Sequence, residues 1–290
     1  MDTRTPKSAN AADETRDGAA LHDLGIPACP AILETLRRQL ACDDPDFKLI
    51  GRTVASDVSL TAVLLHTVNS AAFGLSRKVG SVDQALSMIG ARQLFALVTR
   101  LVVRQALNAE GPRYTRFWDV SAKRSHALLR MARTLRCVDT GVAQTFGLFC
   151  DVGIVLLMQR VSGYDATLKA CDEEVVCPFT DIEQDAHRTD HAIVGSIMAR
   201  AWGVAPEICE AIRAHHDYAI FTESGTPEII ARLIAMTLLA DLAIQRYGGL
   251  YVSHEWTKGG QWVAGALVLS QDDVEDWVET LGGDFAAGVA

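Results

Sequence analysis

Histidine and aspartate side chains recur on successive segments in the second half of this 290-residue chain. The candidate metal ligands, in chain order, are His126, Asp151, His191, His215 and Asp241. Neutral imidazoles and carboxylates are ligands that hold divalent metals in proteins. A water molecule bound to such a metal ionises near neutral pH and can attack a phosphoester. The order of these residues therefore indicates a metal-dependent site, or the remnant of one.

The histidines also have structural explanations that the sequence leaves open. His126 lies at the edge of an apolar helical stripe, where most histidines are simply hydrogen-bonded. His191 shares a helix face with Gly195, so it could pack where the glycine brings two helices close together. His215 and His216 end a predicted helix, and the helix dipole favours a partly protonated imidazole there.

Residues 148–153 read LFCDVG and place Cys150 directly before Asp151. The aspartate can cap the helix that follows, while Asp241 can pair with a nearby arginine. The flanking Phe149 and Val152 predict that Cys150 is a partly buried, neutral thiol. No cysteine pair has the spacing CxxC, so the seven cysteines indicate reduced thiols in the cytoplasm and give no support to a cysteine-based zinc site.

Helical periodicity runs through nearly every segment from about residue 30 onward, so the chain is predicted to be all-α. Ser81 and Ser270 are predicted helix caps, as is Asp57 or Ser59, and Gly111–Pro112 is the predicted domain boundary. The predicted units are a disordered tail (1–20), an N-terminal helical bundle (21–111), a second helical half (112–247) and a C-terminal loop and helix (248–290). In the second half, predicted helices cover about 114–137, 140–160, 163–172, 179–187, 190–202, 206–216 and 227–247. An irregular segment, GGLYVSHEWTKGG, is expected to follow.

Composition narrows the classes of partner. The formal charge of −9 disfavours a nonspecific grip on nucleic acid, whose phosphates attract basic surfaces. No uninterrupted apolar run approaches the ~20 residues of a membrane span, and the first twenty residues hold no apolar signal segment. We therefore expect a cytoplasmic protein that binds neither nucleic acid nor membrane.

Three stretches resemble a known family: IPACPAIL, IGRTVASDVSLTAVLLHTVNSAAFGLSRKVGSVDQALSMIGARQL and DHAIVGSIMARAWGVAPEICEAIRAHHD. They are similar to the HDOD domain, the HD-related output domain of bacterial signalling proteins, over about residues 21–245. The order of the histidines and aspartates is that of the HD superfamily of metal-dependent phosphohydrolases. The resemblance implies an N-terminal helical bundle packed against an HD-like helical half. It also implies a regulatory role in two-component or cyclic di-GMP networks.

The resemblance carries over to individual residues only in part. It assigns His126 to the first metal histidine and Asp151 to the aspartate of the His-Asp doublet, with Cys150 in place of the doublet's histidine. His191, His215 and Asp241 fall at later ligand positions. No glycine-tyrosine-proline tripeptide, the signature of the related cyclic di-GMP phosphodiesterases, occurs in the chain. The loss of an imidazole weakens a metal site, so we expect a vestigial site without a bound cofactor.

Three functions remain open from the sequence. The first is a non-catalytic regulatory module that binds signalling proteins in trans. Its candidate contact surfaces are the junction near Phe73–Gly74 and Gly111–Pro112, and the tryptophans 256 and 262. The second is a metal-dependent phosphohydrolase acting on a nucleotide or cyclic dinucleotide. The third is a nucleotide sensor without chemistry, in which His126, Arg130 and His215 supply positive charge.

Overall fold

The computed structural model shows helices joined by turns and loops. No strand occurs among the residues that it describes, as predicted. The described residues are 25–40, 42, 44–70, 73–250 and 254–288. The predicted disordered tail (1–20) lies outside them. The N-terminal helices are α1 (Ala31–Leu40), α2 (Phe47–Ala55), α3 (Val58–Val68), α4 (Val82–Ile89) and α5 (Ala91–Ala106).

Side-chain caps fix where several of the N-terminal helices begin. The Asp57 carboxylate accepts from the amide of Leu60 at the start of α3, and the Ser81 hydroxyl accepts from the amide of Gln84 at the start of α4. Gly90 ends α4 with a φ of +80°, a conformation that glycine adopts without strain. Both predicted caps, Asp57 and Ser81, are confirmed.

The second half begins where Gly111 and Pro112 start a long helix. Its helices are α6 (Pro112–Leu135), α7 (Thr140–Phe149), α8 (Val152–Arg160), α9 (Tyr164–Glu173), α10 (Phe179–His187), α11 (His191–Ala201), α12 (Pro206–Ala214) and α13 (Glu228–Tyr247). The prediction of one helix over residues 140–160 is wrong, because α7 ends and α8 begins at Cys150–Asp151. The break turns the Asp151 carboxylate towards a buried arginine on α6.

The segment expected to be irregular is helical over residues 254–262. It forms α14 (His254–Gly259) and a 3-10 turn (Gly260–Trp262), and α15 (Val263–Leu267) and α16 (Gln271–Ala286) follow. Gly259 and Gly260 do not mark a loop here. An added Cβ would meet the ring of Tyr218 or of Trp256 at under 3 Å, so both glycines allow close packing. Ser270 caps α16 as predicted, in a reciprocal capping box with Asp273.

One apolar core runs through both halves, from Leu33 on α1 to Phe285 on α16. Helix α6 packs against α7 and α13, α8 packs against α11, and α1 and α5 close one side of the bundle. Trp256 and Trp262 are half-buried against this core, and Trp262 stacks on Phe221. Both tryptophans therefore cover the C-terminal core. This is the alternative to their forming an exposed binding surface.

By length and composition alone, the stretch Thr140–Arg160 could cross a membrane. In the fold, 67% of its most apolar window is buried inside the protein, and the α7–α8 break interrupts it. Burial of this kind is what a core helix produces, so the stretch is weak evidence for a membrane span.

Candidate functional site

Four side chains converge where the breaks between helices meet. Asp151 lies between α7 and α8, His191 begins α11, and His215 and His216 follow the last residue of α12. One ligand atom from each of these residues lies within 4.8 Å of the others. The structure thus brings together three of the five predicted ligands, Asp151, His191 and His215. It adds His216, which the sequence had shown only as a neighbour.

The imidazoles of His191 and His215 face each other through the same ring atom. Nδ1 of His191 lies 2.6 Å from Oε2 of Glu183, and Nδ1 of His215 lies 2.7 Å from the carbonyl oxygen of Ile212. Both of these partners accept hydrogen bonds, so each Nδ1 carries a proton. The two Nε2 atoms lie 3.1 Å apart, and at least one cation or proton must sit between their lone pairs.

In the protein without a metal, a proton on His191 resolves this contact. Burial alone lowers the pKa of His191, but the carboxylates of Glu183 and Asp151 outweigh it and raise that pKa. Burial and the neighbouring imidazoles of His216 and His191 lower the pKa of His215 to about 4. A proton is therefore held more firmly by His191 than by His215, whose Nε2 also lies 3.2 Å from Oδ1 of Asp151.

A single metal ion also fits this geometry. Oδ1 of Asp151 lies 3.2 Å from Nε2 of His215 and 3.7 Å from Nε2 of His191. Ligand atoms bound tetrahedrally at ~2 Å from zinc lie roughly 3.3 Å from one another. Asp151, His191 and His215, with His216 beside them, would hold one such ion, and the ion would supply a Lewis acid.

A buried arginine occupies the space between the two aspartates. Arg124 lies on α6 and is only 5% exposed. Its Nη1 lies 2.7 Å from Oδ2 of Asp151, and its Nε donates to Oδ1 of Asp241 at 2.8 Å. The guanidinium thus bridges both carboxylates that a metal centre of the HD type would use, as the sequence suggested for Asp241 in general terms.

The electrostatics of the aspartates follow from this bridge. Burial by itself raises the pKa of Asp151, but the Arg124 guanidinium and the His215 imidazole hold that pKa well below its usual range. At Asp241 burial prevails, and the pKa is raised despite the same guanidinium. Asp151 is thus the firmly ionised partner of the cation.

The structure places His126, the predicted first metal histidine, outside the cluster of converging ligands. Its Nε2 lies 3.1 Å from Oδ2 of Asp284 on α16, beside Arg130, which pairs with the same carboxylate. Two residues correspond to roughly 200° around a helix, so His126 faces away from the side of α6 that carries Arg124. His126 and Arg130 therefore supply no charge to the cluster that contains His215.

Glu183 and Glu255 hold the histidines from outside the cluster, and the sequence pointed to neither. Glu183 on α10 is fully buried and also accepts from the Tyr164 hydroxyl. Glu255 on α14 accepts from His216 Nδ1, at 2.8 Å, and from the Tyr218 hydroxyl. Carboxylates of this kind fix the tautomer and orientation of a metal-binding histidine.

The cap predicted for Asp151 does not form. Asp151 occupies the N-cap position of α8, but its carboxylate accepts no capping hydrogen bond within the described first turn. Its oxygens are directed to Arg124 and His215 instead.

Cys150 is fully buried, where the sequence predicted a partly buried thiol, and it is not among the four converging ligands. Burial and the Asp151 carboxylate raise the pKa of its thiol well above the usual value. We expect iodoacetamide to modify the exposed Cys42 and Cys177 while Cys150 stays unmodified in the folded protein, because the thiolate is the reactive form. Peptide mass spectrometry checks this, with urea-unfolded protein as the control. Labelling of Cys150 at the rate of Cys42 would contradict it.

Comparison with known proteins places the chain in a family. The HDOD domain model matches residues 26–218. An uncharacterised protein of Treponema pallidum (strain Nichols) is 24% identical over 258 residues, which cover 86% of this chain and 46% of the relative. The chain therefore spans about half the length of that relative.

Solved structures share the fold. An HDOD domain protein of unknown function from Geobacter sulfurreducens superposes with a TM-score of 0.71 at 22% identity, covering 96% of this chain and 97% of that one. A protein from Marinobacter aquaeolei VT8, named for a proposed role in signal transduction, has a TM-score of 0.75 at 19% identity, covering 99% and 67%. A proposed phosphohydrolase from Shewanella amazonensis SB2B has a TM-score of 0.66 at 19% identity, covering 94% and 98%. The match over residues 26–218, on this all-helical fold, shows that the chain belongs to the HDOD domain family.

Proposed function

We propose that the chain is a regulatory module that acts by binding other proteins, and that its HD-type site performs no hydrolysis. The observation that carries this proposal is the Arg124 guanidinium between Asp151 and Asp241. It supplies a positive charge that two buried carboxylates share, so the site holds an internal cation without a metal.

The same guanidinium disfavours a hydrolytic centre. Hydrolysis assisted by two metals needs carboxylate oxygens that bridge or bind both ions. Asp241 and one oxygen of Asp151 are already bonded to Arg124. A divalent cation beside a guanidinium in a buried site is also repelled by several kcal/mol, about 4 kcal/mol for each pair of unit charges at 4 Å.

The partners we propose are signalling proteins of two-component or cyclic di-GMP networks, bound in trans. Two observations support this class: the chain belongs to the HDOD family, and the Marinobacter relative is named for a proposed role in signal transduction. Membership of this family supports the regulatory role that the sequence resemblance implied.

The decisive experiment combines metal content with turnover. Protein purified without chelator is analysed by elemental mass spectrometry and assayed against nucleotides and cyclic dinucleotides. We expect sub-stoichiometric metal and no hydrolysis above the background of an Asp151→Ala variant. Stoichiometric metal together with turnover, both lost in Asp151→Ala, would overturn the proposal in favour of an enzyme.

Protein binding is tested separately. The chain is used as bait in lysate from its native host, and each captured protein is purified and titrated against it by calorimetry. Saturable binding to a protein with a receiver, kinase or cyclic di-GMP domain supports the proposal. Absence of any binder that survives purification counts against it.

A phosphohydrolase remains the second candidate because of one specific observation. Asp151, His191, His215 and His216 present ligand atoms within 4.8 Å of one another. This set suits a single ion, so the activity assay should include zinc and manganese as well as magnesium.

A further inference from the structure

A cavity of about 380 Å³ lies apart from the histidine cluster, between α1, α5, α7 and the turn that joins α11 to α12. Its walls are largely apolar. The side chains that form them include Leu33, Phe95, Leu148, Phe149, Trp202 and Ile208. The cavity volume falls within the ~300–1,000 Å³ typical of small-molecule sites.

The size of the cavity limits its ligand. At about 30 Å³ for each water-sized group, the cavity holds roughly twelve or thirteen non-hydrogen atoms. The walls favour an apolar body, because burial of apolar surface contributes roughly 25 cal/mol for each Å². A chain of about ten carbons with small polar ends fills this space.

Six polar side chains also line the cavity: Arg37, Arg92, Thr99, Asp139, Gln144 and Thr145. The Thr99 hydroxyl is buried at 4% exposure and has no hydrogen-bond partner among the described residues. Arg92 lies on the same helix, and the side chains of Arg92, Ala96 and Thr99 all line the cavity. A separation of seven residues on a helix corresponds to roughly 10.5 Å along the axis. Arg37, on α1, lines the cavity as well.

Arg37 already donates from Nη1 to the carbonyl oxygen of Gly203, whereas Arg92 keeps donors for a ligand. Arg92 is mostly exposed, donates to Thr140 at 2.9 Å and lies 4.0 Å from Asp139. The Asp139 carboxylate already accepts from two amides at the start of α7. A guanidinium has five N–H donors, so most of those on Arg92 are available to an anion. An unpartnered buried hydroxyl such as Thr99 costs free energy until a ligand atom satisfies it.

We propose that this cavity binds a linear, medium-chain carboxylate whose far end carries a hydroxyl or carbonyl group. The carboxylate pairs with Arg92, the chain lies along the apolar walls, and the far polar group bonds to Thr99, whose buried Oγ1 turns into the cavity about the Cα–Cβ bond when the ligand binds. The ligand would contact α7, whose last residue, Phe149, precedes the Cys150–Asp151 break. Binding of the ligand would therefore act on α7, the helix that leads into the histidine cluster.

Isothermal titration calorimetry with 10-hydroxydecanoate, decanoate and 1,10-decanediol tests the proposal. We expect 10-hydroxydecanoate to bind with a stoichiometry of one, roughly 3- to 10-fold more tightly than decanoate, the increment of one hydrogen bond. The Thr99→Val variant keeps the shape of the side chain. It should bind 10-hydroxydecanoate and decanoate with equal affinity.

Two further variants test the head group and the cavity itself. Arg92→Gln should weaken the binding of both carboxylates by roughly 3- to 10-fold and leave the binding of the diol unchanged. The control Arg52→Gln, at an exposed position of α2, should leave all three affinities unchanged. Ala96→Phe fills the cavity and should abolish binding of all three. Absence of saturable binding to the wild-type chain, or binding that Ala96→Phe leaves intact, would overturn the proposal.

Discussion

Replacing Gly153 with alanine is expected to lower the free energy of unfolding by about 3 kcal/mol or more. Gly153 lies in the first turn of α8, where that helix crosses α11. A Cβ atom at this position would lie 2.0 Å from the carbonyl oxygen of His191 and 2.8 Å from the amide nitrogen of Gly195. Both are backbone atoms, so no side-chain rotation relieves the overlap and the two helices must separate.

The same crossing brings the ligands of the cluster together. Asp151 lies two residues before Gly153, and His191 supplies the carbonyl that the added Cβ would strike. Separation of α8 from α11 would therefore also lengthen the distances from Asp151 to His191 and His215. The close approach of two helices at Gly195, one of the explanations that the sequence left open for His191, is confirmed.

Urea denaturation followed by circular dichroism measures the effect, with Gly283→Ala as the matched control. Gly283 is an exposed residue of α16, and an added Cβ would meet no described heavy atom within 4 Å. Alanine there should stabilise the protein by about 0.5–1 kcal/mol, because glycine is the poorer helix former. Equal effects of the two substitutions would show that the α8–α11 crossing is not tight.

The helices were largely predictable because their signals are local. Caps such as Asp57, Ser81 and Ser270 act on amides within the next three residues, and all three form as expected. The break within residues 140–160 was signalled only by Asp151, as a possible cap of the helix that follows, while the apolar pattern runs through it. The bond from Asp151 to Arg124, a residue on another helix, lies outside what propensity or periodicity contains.

The site shows the same division between local and distant causes. Residue type and order identified Asp151, His191 and His215. They could not identify Arg124 or Glu183, because a charged residue within a helix usually indicates a solvated face. The sequence attributed the altered metal site to Cys150. In the structure, the positive charge beside Asp151 and Asp241 belongs to Arg124.

Replacing Arg124 with alanine is expected to destabilise the protein by about 3–5 kcal/mol when no metal is present. The substitution leaves Asp151 and Asp241 as neighbouring carboxylates without a cation, with only 16% and 21% of their side chains exposed. Arg130→Ala is the matched control on the same helix. Its guanidinium is 45% exposed and pairs with Asp284, so its loss should cost at most about 1 kcal/mol.

Zinc should restore much of the stability that Arg124→Ala loses. Without the guanidinium, Oδ2 of Asp151 loses its partner, while Oδ1 still faces Nε2 of His215 at 3.2 Å. The Nε2 atoms of His191 and His215 lie 3.1 Å apart. Ligand binding stabilises a folded protein by about 2.7 kcal/mol at 100 times the dissociation constant, so the midpoint of thermal unfolding should rise with zinc concentration. The wild-type protein should respond little, because Arg124 already bonds Oδ2 of Asp151 and both oxygens of Asp241.

The double variant Arg124→Ala, Asp151→Ala assigns the zinc response to this cluster, since it removes the carboxylate between the imidazoles. We expect zinc to leave its unfolding midpoint almost unchanged. If the wild-type protein gained as much stability from zinc as Arg124→Ala, the arginine would not be what keeps the site free of metal. A response in Arg124→Ala alone would mean that one internal cation has taken the place of a metal ion. The fold would then keep the convergence of its helices without the chemistry that a metal supplies.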